Sequence, residues 1–204
     1  MQFTLDRTGS PYVRVPGSGV CFGLLPVTKF QIEAWLCQPG SRDDAWYAEV
    51  LSLHPRLDRA HLQSSKEYLR AFVGGVTAQD GMDYANWLGS GFRIPRQDEW
   101  KAARRGLAEL IGGFSIPDDW SAEAKQLWRR LERPHARLCD SMLFEGGFGE
   151  WVESREGEYG LLGRPIGTLW PSAPDDVPMN PLVADAHDGR HGLRMVFSPE
   201  GESI

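Results

Sequence analysis

The stretch "GFRIPRQDEWKAARRG", Gly91 to Gly106, decides the fold. Phe92 to Ile94 read as a short extended piece. Pro95 turns the chain and presets the entry into a helix. The helix is predicted from about Gln97 to Ile111. Trp100, Ala103, Leu107 and Leu110 recur three and four residues apart and form its apolar stripe. Arg104 and Arg105 fall mainly on the exposed side. The Arg93 guanidinium suits a carboxylate or backbone carbonyls in a tight turn.

Working outward, Thr77 starts the preceding helix, with Asp80 three positions on. Met82, Ala85 and Leu88 give that helix its stripe, and Gly89 suits a left-handed C-terminal cap. Further upstream, "VCFGLL", Val20 to Leu25, reads as a buried strand stopped by Pro26. Thr28 and Gln31 form a capping box. That helix runs to about Cys37 and ends before Pro39-Gly40. Phe30 and Ala34 are expected to share an apolar face that Val27 and Leu36 extend. "DDAWYAEVLSL", residues 43 to 53, reads as a short helix. "HPRLDRAHLQ" breaks it, because Pro55 restricts His54; His54 and His61 read as surface or capping residues. "AFVGGV", 71 to 76, is an extended entry. Downstream, "PDDWSAEAKQLWRRLE", 117 to 132, is a further amphipathic helix with acids early and bases late. Beyond Cys139 the chain breaks into short aromatic pieces divided by Gly and Pro, closing on the strand "LRMVF", 193 to 197.

A chain of 204 residues is long enough for a single well-buried domain, here taken as 1–204. With 41% hydrophobic and 25% charged residues it has a globular balance. Eight Trp, 23 Gly and 14 Pro point to a loop-rich domain built on large aromatics. The net charge of −6 argues against direct nucleic-acid binding, which wants a basic face. The five Lys/Arg between Arg93 and Arg105 and the arginines of "WRRLER" read as solvated helix faces. No apolar run approaches a membrane span, and the N-terminus has no secretory pattern. Cys21, Cys37 and Cys139 fit no paired or zinc spacing, so the expectation is a cytoplasmic protein with reduced thiols.

Four segments, in order, carry a resemblance: "LLPVTKFQIEAWL" (24–36), "FVGGVTAQDGMDYANWLGSGFRIPRQDEWKAARRG" (72–106), "GGFGEWVES" (146–154) and "HGLRMVF" (191–197). They resemble the formylglycine-generating-enzyme, or sulfatase-modifying-factor, family. There the corresponding patterns include "RLPTEAEW", "GNVWEW" and "GFR". The resemblance implies an α+β, C-type-lectin-like fold with a small antiparallel sheet, several flanking helices and long irregular loops. Trp87 and Trp100 then supply apolar area on facing elements. Glu150-Trp151 suits an aromatic anchor beside a buried, hydrogen-bonded carboxylate.

The resemblance also implies a place for chemistry. In the family a cysteine pair between an "RGGSW" segment and the final "GFR" binds copper, since a soft monovalent metal wants thiolates. Here "GRPIGTLW" (163–170) and "GLR" (192–194) stand at those places, and no cysteine lies between them. The related iron-dependent sulfoxide synthases borrow histidines from a helical-bundle domain, which this sequence lacks. Gly147 and Gly149 replace the Asn and Trp of "GNVWEW", which puts the family's calcium sites in doubt. The expectation is a non-catalytic protein-binding module without a cofactor. Trp170, Met179 and Leu182 lie in a proline-stiffened segment, and Trp170 is the anchor candidate; Trp170 as a core filler is the other reading. Expected partners are proteins, and the resemblance implies a regulator or a protease-linked component of a bacterial antiviral defence cluster, CRISPR-linked ones included. The rival is a divergent metal-dependent oxidoreductase. It would use Asp185, His187, Asp188 and His191, which offer nitrogen and oxygen ligands. The same residues also fit a polar turn at Asp188-Gly189 ahead of the last strand.

Overall fold

A computed structural model describes residues 3–16, 18–53, 72–111, 125, 149–155, 157–163, 189 and 191–199. Strands β1 (Phe3–Leu5), β2 (Pro11–Arg14) and β3 (Cys21–Gly23) pair antiparallel in succession. Helices α1 (Lys29–Leu36), α2 (Asp44–Leu53) and α3 (Ala78–Leu88) follow. Then come β4 (Phe92–Arg93) and α4 (Gln97–Ile111). The chain closes on β5 (Gly149–Arg155), β6 (Glu158–Gly163), β7 (His191–Gly192) and β8 (Val196–Phe197).

Both capping boxes form. The Thr28 hydroxyl accepts from the Gln31 amide, and the Gln31 side chain accepts from the Thr28 amide at 2.9 Å. Thr77 and Asp80 do the same, with the return bond at 2.9 Å. Each box satisfies donors that a helix start leaves open. Gly89 ends α3 at φ +130°, which favours glycine, though not in the left-handed helical well.

The buried face of α1 differs from expectation. Ile32 and Trp35 point inward together with Lys29 and Gln31, whereas Phe30 is exposed. The capping box sets this phase. It draws the Gln31 side chain into the hairpin at the N-terminus, which leaves Phe30 exposed and Ala34 only half-buried.

Among the described residues two sheets form rather than one. The first is antiparallel in the order β1-β2-β3-β8-β4. The second runs β6-β5-β7, with β5 and β7 parallel. The two-residue strand β8 lies between β3 and β4, so the end of the chain completes a sheet begun at its start. The segment 191–195 is zipped against earlier chain. Gly75 N donates to His191 O, Val27 N to Leu193 O and Gly23 N to Met195 O. Of the expected strand 193–197, only the last two residues pair as β8.

Among the described residues two apolar clusters result. One joins Phe22, Leu24, Trp100, Leu107 and Val152; the other joins Ile32, Trp35, Tyr84, Trp151 and Leu193. Trp100 and Trp87 therefore serve different clusters, Trp87 packing against the second. Ala103 and Leu107 bury as the helical period predicts, while the side chain of Leu110 lies outside the described residues. The helix expected at 117–132 also lies outside them, apart from Lys125. Among the described residues no helix is long and apolar enough to cross a membrane.

Candidate functional site

The motifs that carry the resemblance converge on one buried ion pair. Arg194 is wholly buried and grips Glu150 with Nε at 2.9 Å and Nη2 at 2.8 Å. Its Nη1 donates to the carbonyls of Gly23 and Leu24 at 3.0 and 2.9 Å. The Trp100 indole donates to Glu150 Oε2 at 2.8 Å. Four separate parts of the chain thus meet on two side chains: the end of β3, α4, β5 and the link to β8. A bidentate, fully hydrogen-bonded pair offsets the desolvation of both charges. This arrangement holds elements together, with the carboxylate committed to three donors.

The opening motif supplies a second pair. Arg93 Nη1 and Nη2 reach Glu99 at 2.7 and 2.6 Å, and Arg93 also donates to the Ile94 carbonyl at 3.3 Å. The Arg96 amide donates to Glu99 Oε2 at 2.8 Å. Burial alone pushes the Glu99 carboxyl up, but the bonds from Arg93 and Arg96 together hold it below its ordinary range. Glu99 also raises the Arg93 guanidinium, so both groups stay charged. "RIPRQDEW" is therefore a turn-and-cap device. From it, the Arg96 backbone pairs in parallel with that of Glu153 of β5, and Glu153 N donates to Pro95 O at 2.9 Å. The second sheet is docked onto the start of α4.

A third polar cluster has no counterpart in the sequence reading. Asp6, in the β1–β2 turn, accepts from Thr8 N at 2.8 Å, Thr8 Oγ1 at 2.6 Å and Ser10 N at 3.0 Å. Gln31 Nε2 reaches Thr8 Oγ1 at 3.1 Å and Asp6 Oδ2 at 3.4 Å. The capping glutamine of α1 thereby ties down the hairpin. Burial pushes the Asp6 carboxyl up, against the pull of these bonds. Burial and then the nearby Asp6 push both the Tyr12 and Tyr84 hydroxyls well above the usual phenol range. The signal was present in "DRTGS", an aspartate followed by Thr and Ser at turn spacing. Lys29 was also unforeseen. It is buried at the start of α1, and burial lowers its ammonium to about 8 against the opposing pull of Glu33.

Of the residues singled out for function, Trp170, Met179, Leu182, Asp185, His187 and Asp188 lie outside the described residues, as do His54, His61 and Cys139. Gly189 is in a turn, as expected ahead of the last segment. His191 stands in β7, half-buried, with its ring edge-on to Trp151 at 5.3 Å. Trp151 is itself fixed by its indole bond to Val76 O at 2.8 Å. No group of three or more His, Cys, Asp or Glu that could hold a metal occurs among the described residues.

Copper would need a pair of thiolates in this part of the fold. Cys21 is buried in β3, its backbone paired with Arg14 and Phe197. Cys37 is exposed at the C-cap of α1. Neither belongs to the segment 163–192, which contains no cysteine. A thiolate pair for a monovalent metal does not fit there. Gly149 lies in β5 facing Leu161, and brings no side-chain ligand where the family pattern has Trp.

Two comparisons bear on this arrangement. A family model described as the sulfatase-modifying factor enzyme 1-like domain matches residues 10–158. No curated protein matches the chain.

Proposed function

The chain belongs to the sulfatase-modifying factor enzyme 1-like family, and from that premise we propose that it is a non-catalytic protein-binding module of the cytoplasm. One observation carries the reading: the scaffold residues are intact, while the interval 163–192 has no thiol. Glu150, Arg194 and Trp100 form a buried hydrogen-bonded network, Arg93–Glu99 braces the turn into α4, and the backbone of that turn docks the second sheet. Such residues are kept to hold a fold, and a fold by itself carries no chemistry. The segment 164–188 is rich in proline, with Trp170, Met179 and Leu182 as apolar anchors. Aromatic and methionine side chains on stiffened loops suit protein recognition at low ordering cost.

The partner class we favour is a regulator or protease-linked component of a bacterial, CRISPR-linked defence assembly. Co-purification with the products of adjacent genes tests it. The intact chain should retain one of them at stoichiometric level, and Trp170→Ala should lose it. Incubation with a cysteine-containing peptide should leave the peptide mass unchanged. Conversion of the thiol to an aldehyde would overturn the reading. Stoichiometric iron, copper or zinc lost on His187→Ala and His191→Ala would favour the metal-dependent oxidoreductase instead.

A further inference from the structure

Five oxidisable rings run unbroken across α1, α2 and α3. By ring centroids, Trp87 lies 5.5 Å from Tyr84, and Tyr84 lies 5.9 Å from Trp35. Trp35 lies 5.7 Å from Trp46, and Trp46 lies 6.4 Å from Tyr47. Tyr84 and Trp35 are buried, whereas Trp46 and Tyr47 are half-exposed. Filling a core requires only volume and shape, which Phe or Leu supply as well. The run Tyr12–Phe92–Phe197 has that mixed character, and its phenyl rings resist one-electron oxidation. Every ring from Trp87 to Tyr47, by contrast, is an indole or a phenol.

The two ends differ in charge. The Arg7 guanidinium lies 4.9 Å from the Trp87 ring centroid and donates to the Trp87 carbonyl at 2.6 Å. A cation over a ring is attracted to its electrons and disfavours their removal. At the other end the Tyr47 hydroxyl donates to the Glu33 carboxylate at 2.5 Å. A phenol that loses an electron becomes a strong acid, so an acceptor already in place lets electron and proton leave together. Tyr84 has no such outlet, since its buried hydroxyl has no hydrogen-bond acceptor among the described residues. An electron vacancy is therefore disfavoured at Trp87 and Tyr84 and favoured at Tyr47.

We propose that Trp35, Trp46 and Tyr47 form a one-electron relay that carries oxidising equivalents from the core to the surface, with Glu33 as the proton acceptor. A radical oxidant removes one electron from an indole of the run and leaves an indole radical cation. An electron from Tyr47 passes along the run and refills it, while the phenolic proton moves to Glu33. The products are neutral indole, the Tyr47 phenoxyl radical and protonated Glu33. A soluble thiol then gives one hydrogen atom to Tyr47 and leaves as a thiyl radical, while Glu33 releases its proton to water. This activity is independent of any partner or metal.

Pulse radiolysis with azide radical, which oxidises exposed indoles, tests the relay on the full chain. The indole radical signal should convert to a phenoxyl signal in a first-order phase whose rate is independent of protein concentration. Tyr47→Phe and Trp46→Phe, which keep a ring in place, should each lose that phase. Glu33→Gln keeps a hydrogen-bond acceptor but not a base, and should slow it. Tyr159→Phe, off the run, should leave it intact. Absence of the phase in the parent protein would overturn the proposal. So would its persistence in Tyr47→Phe, its loss in Tyr159→Phe, or a rate proportional to protein concentration.

Discussion

Arg194 shows what a single residue does when it is buried with every guanidinium nitrogen hydrogen-bonded. Replacing it by Met would leave Glu150 charged and unpaired beneath Trp100, and would strand two backbone carbonyls. We expect Arg194→Met to cost about 3–5 kcal/mol, the usual result of breaking one side of a buried pair. Glu150→Gln added to that variant should recover part of the loss, and denaturant unfolding of the single and double variants measures both. Lys29 presents the opposite case, a charge whose burial opposes folding. Its ammonium sits at about 8 in the fold against 10.5 when free. Below about 8 it is charged in both states, and the fold bears the full burial cost. As pH rises from about 8 to 10.5 the folded state sheds the proton first, so this contribution shifts in favour of folding. Thermal melts of Lys29→Met should show higher stability at neutral pH and a flatter alkaline limb than the parent. That Arg93 would hold a carboxylate or carbonyls in a tight turn was legible in the sequence, because the motif is local; that the carboxylate is Glu99 came from the fold. Lys29 was not legible, since nothing local tells a lysine after a capping threonine whether the tertiary structure will cover it.

At the scale of the element, two helical glycines distinguish packing from propensity. A Cβ on Gly81 in α3 would stand 2.6 Å from Leu193 Cδ2 and 3.0 Å from Ile94 Cδ1. Alanine at a helix interior gains ~1 kcal/mol over glycine, but forcing atoms into a filled core costs ~1–3 kcal/mol. Leu193 is wholly buried and Ile94 nearly so, leaving little room to yield. Gly81→Ala should therefore lower the melting temperature. Gly106 in α4 has Pro16 Cδ as its nearest neighbour at 3.8 Å. Gly106→Ala should raise the melting temperature, and parallel calorimetric scans compare the two. The helix starts were readable because a capping box is local: Thr and its partner three residues on are close whatever the rest of the chain does. The inward face of α1 was not, because Gln31 is drawn toward Asp6, 25 residues away in sequence.

At the scale of the molecule, the segment 191–197 serves both sheets. β8 lies inside the first sheet, and β7 extends the second. Arg194, between them, joins both to α4. Truncation before His191 should therefore abolish cooperative unfolding, as read by near-ultraviolet circular dichroism during thermal scans, rather than trim an edge. Pairing the first strands with the last also raises the mean sequence separation of contacts, which predicts slow folding for the chain's size. The family scaffold could be read from one dimension because its markers are short runs whose meaning is local: a proline before a helix, a capping threonine, a stripe at the helical period. That a second sheet exists, that Asp6 and Gln31 join the hairpin to α1, and that five oxidisable rings line up across three helices depended on the tertiary structure. Each of these joins residues far apart along the chain, and only burial, which is settled by all the elements together, brings such groups into contact.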